Sequence, residues 1–169
     1  MSRPGVFLYK GKPYDFGQLD DNLARVKKTM PPVLAQVAVN HFRDSFRKQG
    51  FTDRVLTRWK DRKSHGPKDA GRAIMIKSAD LRNSINASTV SFRQTVVTSD
   101  KPYAMIHNEG FDGIQKVGSH TRRSSRGKAV RVKAHTRHMV MPQRQFMGNS
   151  EVMENEIESV IDRMVISIF

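Results

Sequence analysis

A stretch of 38 residues, 113–150, restricts the fold more than any other feature of this sequence, because it holds nine Lys or Arg and three His but no Asp or Glu. Like charges at this density repel one another, so the stretch does not form the core of a domain by itself. Glycines and β-branched residues recur in it without a helical period, and two candidate strands, 114–117 and 129–134, flank a polar tip, 119–128. The pattern predicts an extended basic β-hairpin arm at 113–141 that becomes ordered against a negatively charged surface; a solvated flexible loop is the alternative.

The whole chain is also basic: 30 Lys and Arg stand against 16 Asp and Glu in 169 residues, a net charge of +14. Such a charge attracts polyanions, whether nucleic acid, an acidic protein surface or an anionic membrane. The chain has no Cys, which excludes disulfides, thiolate metal sites and cysteine nucleophiles. It has neither the run of about 18 apolar residues of a membrane span nor a signal-peptide pattern, so we expect a soluble, intracellularly made protein of one domain, 1–169.

An amphipathic period predicts a helix from residue 16 to the paired prolines Pro31 and Pro32. Proline lacks an amide N–H and clashes with the preceding turn inside a helix, but it is accepted in a first turn. The pair therefore predicts the end of one helix and the start of the next. The second helix continues to about residue 48, and Gly50 is expected to end it in a left-handed conformation.

The C-terminal segment also predicts an amphipathic helix, 153–168, with apolar residues at positions i, i+4, i+7, i+8, i+11 and i+15. Asn149 or Ser150 is the expected N-cap residue, and Phe146 lies near the helix start as a candidate staple residue.

Shorter elements fill the rest of the chain and complete an α+β pattern. In chain order they are a hairpin or arm at 1–15, an apolar hook anchored by Trp59, a helix at 78–85 capped by Ser78, a hairpin of 87–92 with 95–99, and a helix at 102–109 ended by Gly110. We therefore expect a small, mostly antiparallel sheet packed by two or three amphipathic helices, with the long basic β-hairpin arm projecting from it.

The histidines raise the question of a metal site. His135 and His138 have i, i+3 spacing, and His120 lies opposite them if the arm is a hairpin, which is the donor set of a three-imidazole zinc site. Nine nearby cations and the lack of an acidic residue in the arm oppose a dication there, so we expect no metal. His107 and Glu109 resemble half of a zinc deaminase signature, but the chain lacks the cysteine pair that completes it.

No motif in the chain predicts an enzyme. The sequence contains no Gly-x-Ser-x-Gly nucleophile turn, no Walker phosphate loop and no dinucleotide fingerprint. A metal-dependent nuclease needs carboxylates that converge on the basic surface, and Asp100, Glu109 and Asp112 are the only candidates for them. We therefore expect no catalytic activity and no cofactor.

Four motifs, taken in order, resemble the phage virion morphogenesis family, the tail completion proteins of Mu-like and related tailed phages. They are Trp59-Lys-Asp-Arg62, Leu81-Arg-Asn-Ser-Ile85 after an apolar stretch, Tyr103-Ala-Met-Ile-His107-Asn-Glu-Gly110 after 96–99, and Pro142-Gln-Arg144-Gln-Phe146-Met-Gly148 followed by Ser150 and a terminal helix. The resemblance covers about residues 55–169. It implies a non-enzymatic structural protein of the virion, located at the head–tail junction, which completes the tail or joins it to the filled capsid, usually as a ring of subunits.

The resemblance also implies partners: copies of the chain in a ring, and neighbouring neck, connector or tail proteins. The arm and the N-terminal hairpin are candidates for the two unlike patches of a ring interface. Whether the arm contacts protein or DNA stays open, because a ring lumen with these cations also attracts DNA. The eight residues expected to contact a partner subunit or DNA are Lys116, Arg122, Arg123, Arg126, Lys128, Arg131, Lys133 and Arg137. The residues expected to have structural roles are Trp59, Leu81, Tyr103, His107, Gly110, Pro142, Arg144 and Phe146.

A monomeric nucleic-acid-binding protein is the alternative hypothesis. Its affinity would fall steeply with salt, because each phosphate contact releases counterions. The arm has no interleaved aromatic residue on which the bases of a single strand would stack, which favours duplex over single-stranded nucleic acid in that case. A monomer that binds DNA favours this hypothesis, and a defined oligomer favours the ring.

Overall fold

The computed structural model describes residues 8–9, 12–13, 16–62 and 71–168, the first two pairs by their backbone alone. The helices of these residues are α1 (Phe16–Lys48), α2 (Asp80–Asn83), α3 (Ala104–Glu109) and α4 (Glu151–Ile166). The strands are β1 (Leu8–Tyr9), β2 (Lys12–Pro13), β3 (Gly50–Thr52), β4 (Leu56–Arg58), β5 (Ile85–Val90), β6 (Thr95–Ser99), β7 (Phe111–Val117), β8 (His120–Arg123), β9 (Ala129–Val132) and β10 (His135–Met141). They pair antiparallel as β1–β2, β3–β4, β5–β6, β7–β10 and β8–β9. The predicted α+β fold is confirmed, with its sheet component divided into two-stranded ribbons.

The predicted helix break at Pro31 and Pro32 is wrong, because α1 runs through both prolines. A proline pair deprives the carbonyls of Lys27 and Lys28 of their donors. These two residues are exposed, so solvent is available to that side of the helix. On the other side α4 packs across the prolines: the second apolar cluster joins residues on either side of the pair to the C-terminal residues. Tertiary packing therefore keeps helical a segment whose local sequence favours a helix end.

The main core lies where the second half of α1 meets the ribbons. Its buried members are Ala38, Phe42, Phe46, Phe51, Trp59, Ile74, Leu81, Ile85 and Phe146. Phe46 is fully buried and lies between two aromatic rings, with its centroid 5.4 Å from that of Trp59 and 5.2 Å from that of Phe146. Burial of each large side chain stabilises the fold by about 1.5–3 kcal/mol. The predicted hook therefore has its anchor at Trp59, whereas Val55 at its turn is 74% exposed.

The end of α1 differs from the prediction by one residue. Gln49, not Gly50, has the left-handed conformation, with φ 54°. Its amide group holds it there, because Nε2 donates to the carbonyl oxygen of Phe46 over 2.6 Å and Oε1 accepts from the amide of Ile74 over 2.5 Å. Gly50 has another role: a Cβ at this position would collide with the carbonyl oxygen of Thr57 on the paired strand. The glycine allows β3 and β4 to approach closely.

Both short helices are shorter than predicted. α2 covers only four residues, and the N-cap position is Ala79, with φ 60°, not Ser78 as predicted. Ser78 lies one residue earlier, and its Oγ accepts from the amide of Asp80 over 3.5 Å. Ile85 leaves the helix because its side chain is fully buried and its backbone pairs with Ser99 in the β5–β6 ribbon. The ribbon thus begins two residues before the predicted 87–92 strand, and Phe92 lies outside it, 62% exposed.

α3 begins at Ala104, two residues later than predicted, and Gly110 follows its last residue, Glu109, as predicted. Gly110 has φ 80°, and a Cβ there would lie 3.0 Å from the amide nitrogen of Gln143. Glycine is therefore required twice over, by backbone conformation and by space.

The N-terminal hairpin is visible as the pairing of Leu8 with Pro13 and of Tyr9 with Lys12. The turn between the two strands and the remainder of residues 1–15 lie outside the described residues. Division of the chain into domains stays a prediction.

Candidate partner-binding surface

The basic stretch forms a two-part β-hairpin arm, from Phe111 to Met141. β7 pairs with β10 over seven residues, from Phe111 opposite Met141 to Val117 opposite His135. β8 then pairs with β9 over four residues, from His120 opposite Val132 to Arg123 opposite Ala129. The prediction that strands 114–117 and 129–134 lie opposite each other is wrong in register: 114–117 pairs with β10, and four residues of the predicted polar tip, His120–Arg123, form β8. The register shifts because His120–Arg123 are strand residues despite their charge.

The tip is a short turn at residues 124–128. The amide of Ser124 donates to the carbonyl oxygen of Lys128 over 2.8 Å, and that of Gly127 donates back to Ser124 over 2.9 Å. Gly127 has φ 79°, a conformation in which glycine carries no steric penalty. From Phe111 to the end of β8 the chain advances on the order of 40 Å at the rise of a β-strand.

The arm is exposed along its whole length. All residues from 111 to 143 are described, and none of them is buried. Three of its large apolar side chains face solvent, since Ile114 is 71%, Val140 63% and Val130 42% exposed, and the other five are half-buried. An isolated two-stranded ribbon is only marginally stable in water, and the residues of the arm bury little surface against the rest of the chain.

The eight predicted contact residues lie along β7 to β10 and at the tip. In the β8–β9 ribbon the register places Arg123 and Arg131 on one face and Arg122 on the other, so both faces are cationic. Arg126 and Lys128 lie at the tip, and Arg137 donates from Nε to Oε1 of Gln115 over 2.9 Å. Within the described part of the chain, no ion pair joins any of the eight to a carboxylate. Their role in binding stays a prediction.

The three arm histidines point to partners of their own. His138 Nε2 lies 2.8 Å from Oδ1 of Asp112 at the base of the arm. Nδ1 of His120 and of His135 lie 3.1 Å and 3.0 Å from the carbonyl oxygens of Gly118 and Lys133, respectively. Among the residues that the structure describes, no three His, Asp or Glu side chains converge as metal ligands. The carboxylates proposed for a nuclease are not brought together either: Asp112 pairs with the imidazole, and Asp100 lies 3.7 Å from Nζ of Lys101.

The segment after the arm, residues 142–150, fastens the arm to the core. The amide of Arg144 donates to the carbonyl oxygen of His107 over 2.8 Å, which attaches the segment to α3. Oδ1 of Asn108 accepts from the amides of Phe146 and Met147 over 2.9 Å and 3.0 Å. Nε1 of Trp59 donates to the carbonyl oxygen of Gln145 over 2.6 Å. The arm therefore has a rigid base.

Sequence reasoning missed Asn108 as a structural residue, although it stands inside the Tyr103–Gly110 motif. An Asn in the last turn of a predicted helix is the available signal, since Asn and Gln side chains satisfy backbone groups that lack a partner. Phe146 was expected near the start of α4 as a staple; it is 1% exposed and packs in the main core against Phe46.

Arg144 is the one cation of the basic stretch that is buried, at 8% exposure. Its Nε and Nη2 donate to the carbonyl oxygen of Lys60 over 3.3 Å and 3.2 Å. Burial, and then the charge of Arg62, lower the pKa of the Arg144 guanidinium from its ordinary value. Burial, and then the charge of Arg144, also lower the pKa of His107, whose Nδ1 is buried without a hydrogen-bond partner. Both effects favour the neutral imidazole of His107, whose ring meets that of Tyr103 edge to face at 5.9 Å.

Ser150 confirms the predicted N-cap of α4. Its Oγ accepts from the amide of Met153 over 3.1 Å and donates to the carbonyl oxygen of Thr52 over 2.8 Å. Asp53 adds a second cap, because its Oδ1 accepts from the amide of Glu151 over 2.9 Å. The start of α4 is thus tied to the β3–β4 ribbon.

Comparison with known proteins identifies the chain at this point. The model of the phage virion morphogenesis family matches residues 16–165, which include α1, the arm, the segment 142–150 and all of α4 but its last residue. The chain belongs to the phage virion morphogenesis family. The suspected family is confirmed, and with it a role in the assembly of the phage virion. Neither the curated proteins nor the solved structures contain a match to the chain.

The family match also covers residues that precede the four motifs. The matched region begins 39 residues earlier than residue 55, where the motif resemblance starts (55 − 16). It therefore takes in the whole of α1, whose second half forms one wall of the core. In the described residues, no helix is both long and apolar enough to cross a membrane.

Proposed function

We propose that this protein is a structural component of the neck of a tailed phage, which completes the tail or joins the tail to the head as a ring of subunits. Its partners are copies of itself and the adjoining neck, connector or tail proteins, and it acts by contact rather than by catalysis. Membership of the family supports a virion role, and the arm supports the finer assignment. The decisive observation is a stretch of 33 residues, 111–143, in which no side chain is buried although Ile114 and Val140 are apolar.

A neck subunit of this kind needs both features of the arm, its hydrogen-bonded attachment to the core and its exposed strands. A subunit that must reach a neighbour needs a fixed direction, which the hydrogen bonds of Asn108 and Trp59 provide. It also needs a surface that its own domain does not satisfy, which the exposed cations and apolar residues of the arm provide. A ring joins unlike patches on successive copies, so a projecting arm and a separate acceptor suit it.

The test shortens the arm without disturbing its base. Val117 pairs with His135, so residues 118–134 are replaced by Asn-Gly, a two-residue turn that joins such a pair. We expect the variant to unfold at the same urea concentration as the parent. Supplied to phage deleted for this gene, it should leave heads and tails unjoined in electron micrographs. A full-length control carries Gln at the six cations that the replacement removes: Arg122, Arg123, Arg126, Lys128, Arg131 and Lys133. Normal particle yield from the shortened variant would contradict the proposal.

Nucleic-acid binding by a monomer is the second candidate, favoured by the cations on both faces of the β8–β9 ribbon. It predicts that purified protein binds duplex DNA with log affinity falling by about 0.9 per phosphate contact for each unit of log salt. The shortened variant should then bind duplex DNA weakly, and its remaining affinity should depend little on the salt concentration. Incubation with plasmid and Mg²⁺ distinguishes simple binding from a nuclease, because only the latter cuts the DNA.

A further inference from the structure

An apolar groove runs along the side of the molecule between α1, the β5–β6 ribbon and α4. Its volume is about 880 Å³, and its apolar lining includes Met30, Leu34, Val97, Met147, Ile157 and Ile161. Phe92 at the end of the ribbon also lines it and is 62% exposed. A groove of this size and composition is typical of a surface that receives a partner.

A row of acidic residues borders this groove along α4. Glu154, Glu158 and Asp162 stand at intervals of four, so they share one side of the helix, and all three are exposed. Each stands three residues before a residue that lines the groove, namely Ile157, Ile161 or Val165. Since residues three apart are neighbours on a helix surface, the row forms the rim of the groove. We call these three residues the acidic rim.

The acidic rim has no cation of its own. In the described residues, no ion pair involves Glu154, Glu158 or Asp162, whereas Glu151 at the start of α4 pairs with Arg54. The cation that lines the groove is Arg93, on the opposite side, in the turn of the β5–β6 ribbon. The rim is therefore available to a basic partner.

We infer that the groove and the acidic rim receive the β-hairpin arm of a second copy of this chain. The arm is complementary to both surfaces. Its exposed apolar side chains, such as Ile114 and Val130, match the apolar groove, and its cations, which have no carboxylate partners in the described residues, match the acidic rim. Apolar side chains of the arm would enter the groove while its Arg and Lys pair with the acidic rim. This inference rests on the proposed function, because it names the acceptor for the arm within the ring.

The inferred contact has a direction. The arm and the groove are different patches of one chain, so each copy offers its arm to the next and its groove to the previous one. Such a heterologous contact produces a ring when the rotation closes. The charges add selectivity, because an arm placed against another arm would bring like charges together.

The test exchanges charges between the two surfaces. One variant reverses the rim (E154K, E158K and D162K), and another reverses the arm (R122E, R131E and K133E). Each is supplied to phage deleted for the gene, and particle titre is measured. We expect each reversal alone to lower the titre by roughly 100-fold, because like charges then face each other. The two reversals combined in one chain should recover most of that loss.

The matched control is Glu156→Lys. Glu156 is an exposed acid on the same helix, but it lines a different cavity, beside His41 and Arg43 on α1. This variant should leave the titre unchanged, and urea unfolding of every variant shows whether any loss reflects stability instead.

A cross-link gives a second, independent readout. The chain has no Cys, so one thiol placed at Glu158 and another at Arg131 are unique sites. Two differently tagged variants, each with one thiol, are mixed in assembling particles with a short bis-maleimide. A product that contains both tags supports the inference, and thiols at Glu156 and Arg131 serve as the control pair.

The outcomes separate this inference from the proposed function. If the rim reversal leaves titre unchanged while the shortened arm still abolishes joining, the groove is not the acceptor and the neck role stands. If the shortened arm has no effect either, both proposals fail. If the combined reversal shows no recovery and the two tags do not cross-link, the arm meets another protein or DNA, and the inference is overturned.

Discussion

Arg131 and Arg144 belong to the same acid-free stretch, and the structure gives them opposite environments. Arg131 lies exposed in β9, whereas Arg144 is 8% exposed and its guanidinium donates to the carbonyl oxygen of Lys60. The two parts of the stretch, 113–141 and 142–150, differ in their apolar neighbours: only the second contains Phe146 and is bonded to Trp59. Charge density alone therefore does not separate a binding arm from a structural segment. If this difference is general, substitutions in 142–150 should lower the stability of the fold, whereas substitutions in 113–141 should affect only binding to partners.

The largest effect on stability is expected at Phe146. Phe146→Ala removes a ring that is 1% exposed and packs 5.2 Å from Phe46. Loss of such a side chain from a core costs about 3–5 kcal/mol in the free energy of unfolding, which urea titration followed by circular dichroism measures. Val140→Ala in the arm, where the side chain is 63% exposed, should change it by less than about 0.5 kcal/mol. Equal losses in the free energy of unfolding would show that 113–141 and 142–150 do not differ in their contribution to stability.

Asn108→Ala is expected to have the next largest effect. It leaves the amides of Phe146 and Met147 without an acceptor in the interior, at a cost of about 2 kcal/mol. Asn108→Asp keeps the accepting oxygen and is the control, so it should be the milder of the two substitutions. If Asn108→Ala unfolds at the same urea concentration as the parent, the amide does not hold the arm base.

Ser150→Ala should cost about 1 kcal/mol, since it removes the side-chain oxygen that caps α4. Ser159→Ala is the matched substitution on the same helix, where the hydroxyl is exposed and bonds only to the carbonyl oxygen of Asn155. Thermal unfolding of the two variants ranks them. The cap hypothesis would be wrong if Ser159→Ala were the more destabilising.

Acidification is expected to have the smallest effect. Burial lowers the pKa of His107 and of His41 in the folded protein, so the unfolded chain binds protons at a higher pH. The contribution of these residues to stability is complete above the unfolded pKa of about 6.5 and is lost as the pH falls from there towards the folded values. Urea midpoints at pH 7.5 and 5.5 should differ accordingly, and His107→Gln should reduce the difference. If His107→Gln leaves the difference between the two urea midpoints unchanged, His107 does not take up a proton when the protein unfolds in this pH range.

Local patterns predicted much of the secondary structure because its causes are local. The period of α4, the Ser150 cap and the glycine after α3 each depend on residues within a turn of one another. The errors occurred where distant residues decide. α1 passes through Pro31 and Pro32 because α4 packs across them, and Gln49 replaces Gly50 at the helix end because its side chain bonds to Ile74.

The candidate site divides in the same way. Sequence alone determined the arm as a basic, acid-free hairpin, because repulsion among its charges and its β-branched residues act wherever the chain folds. It also determined the family, through motifs that stand in a set order. Tertiary structure decided which cation is buried, how the strands of the arm pair, and that α4 places an acidic rim beside an apolar groove. These depend on contacts between segments far apart in the chain, and a one-dimensional pattern does not contain such distances.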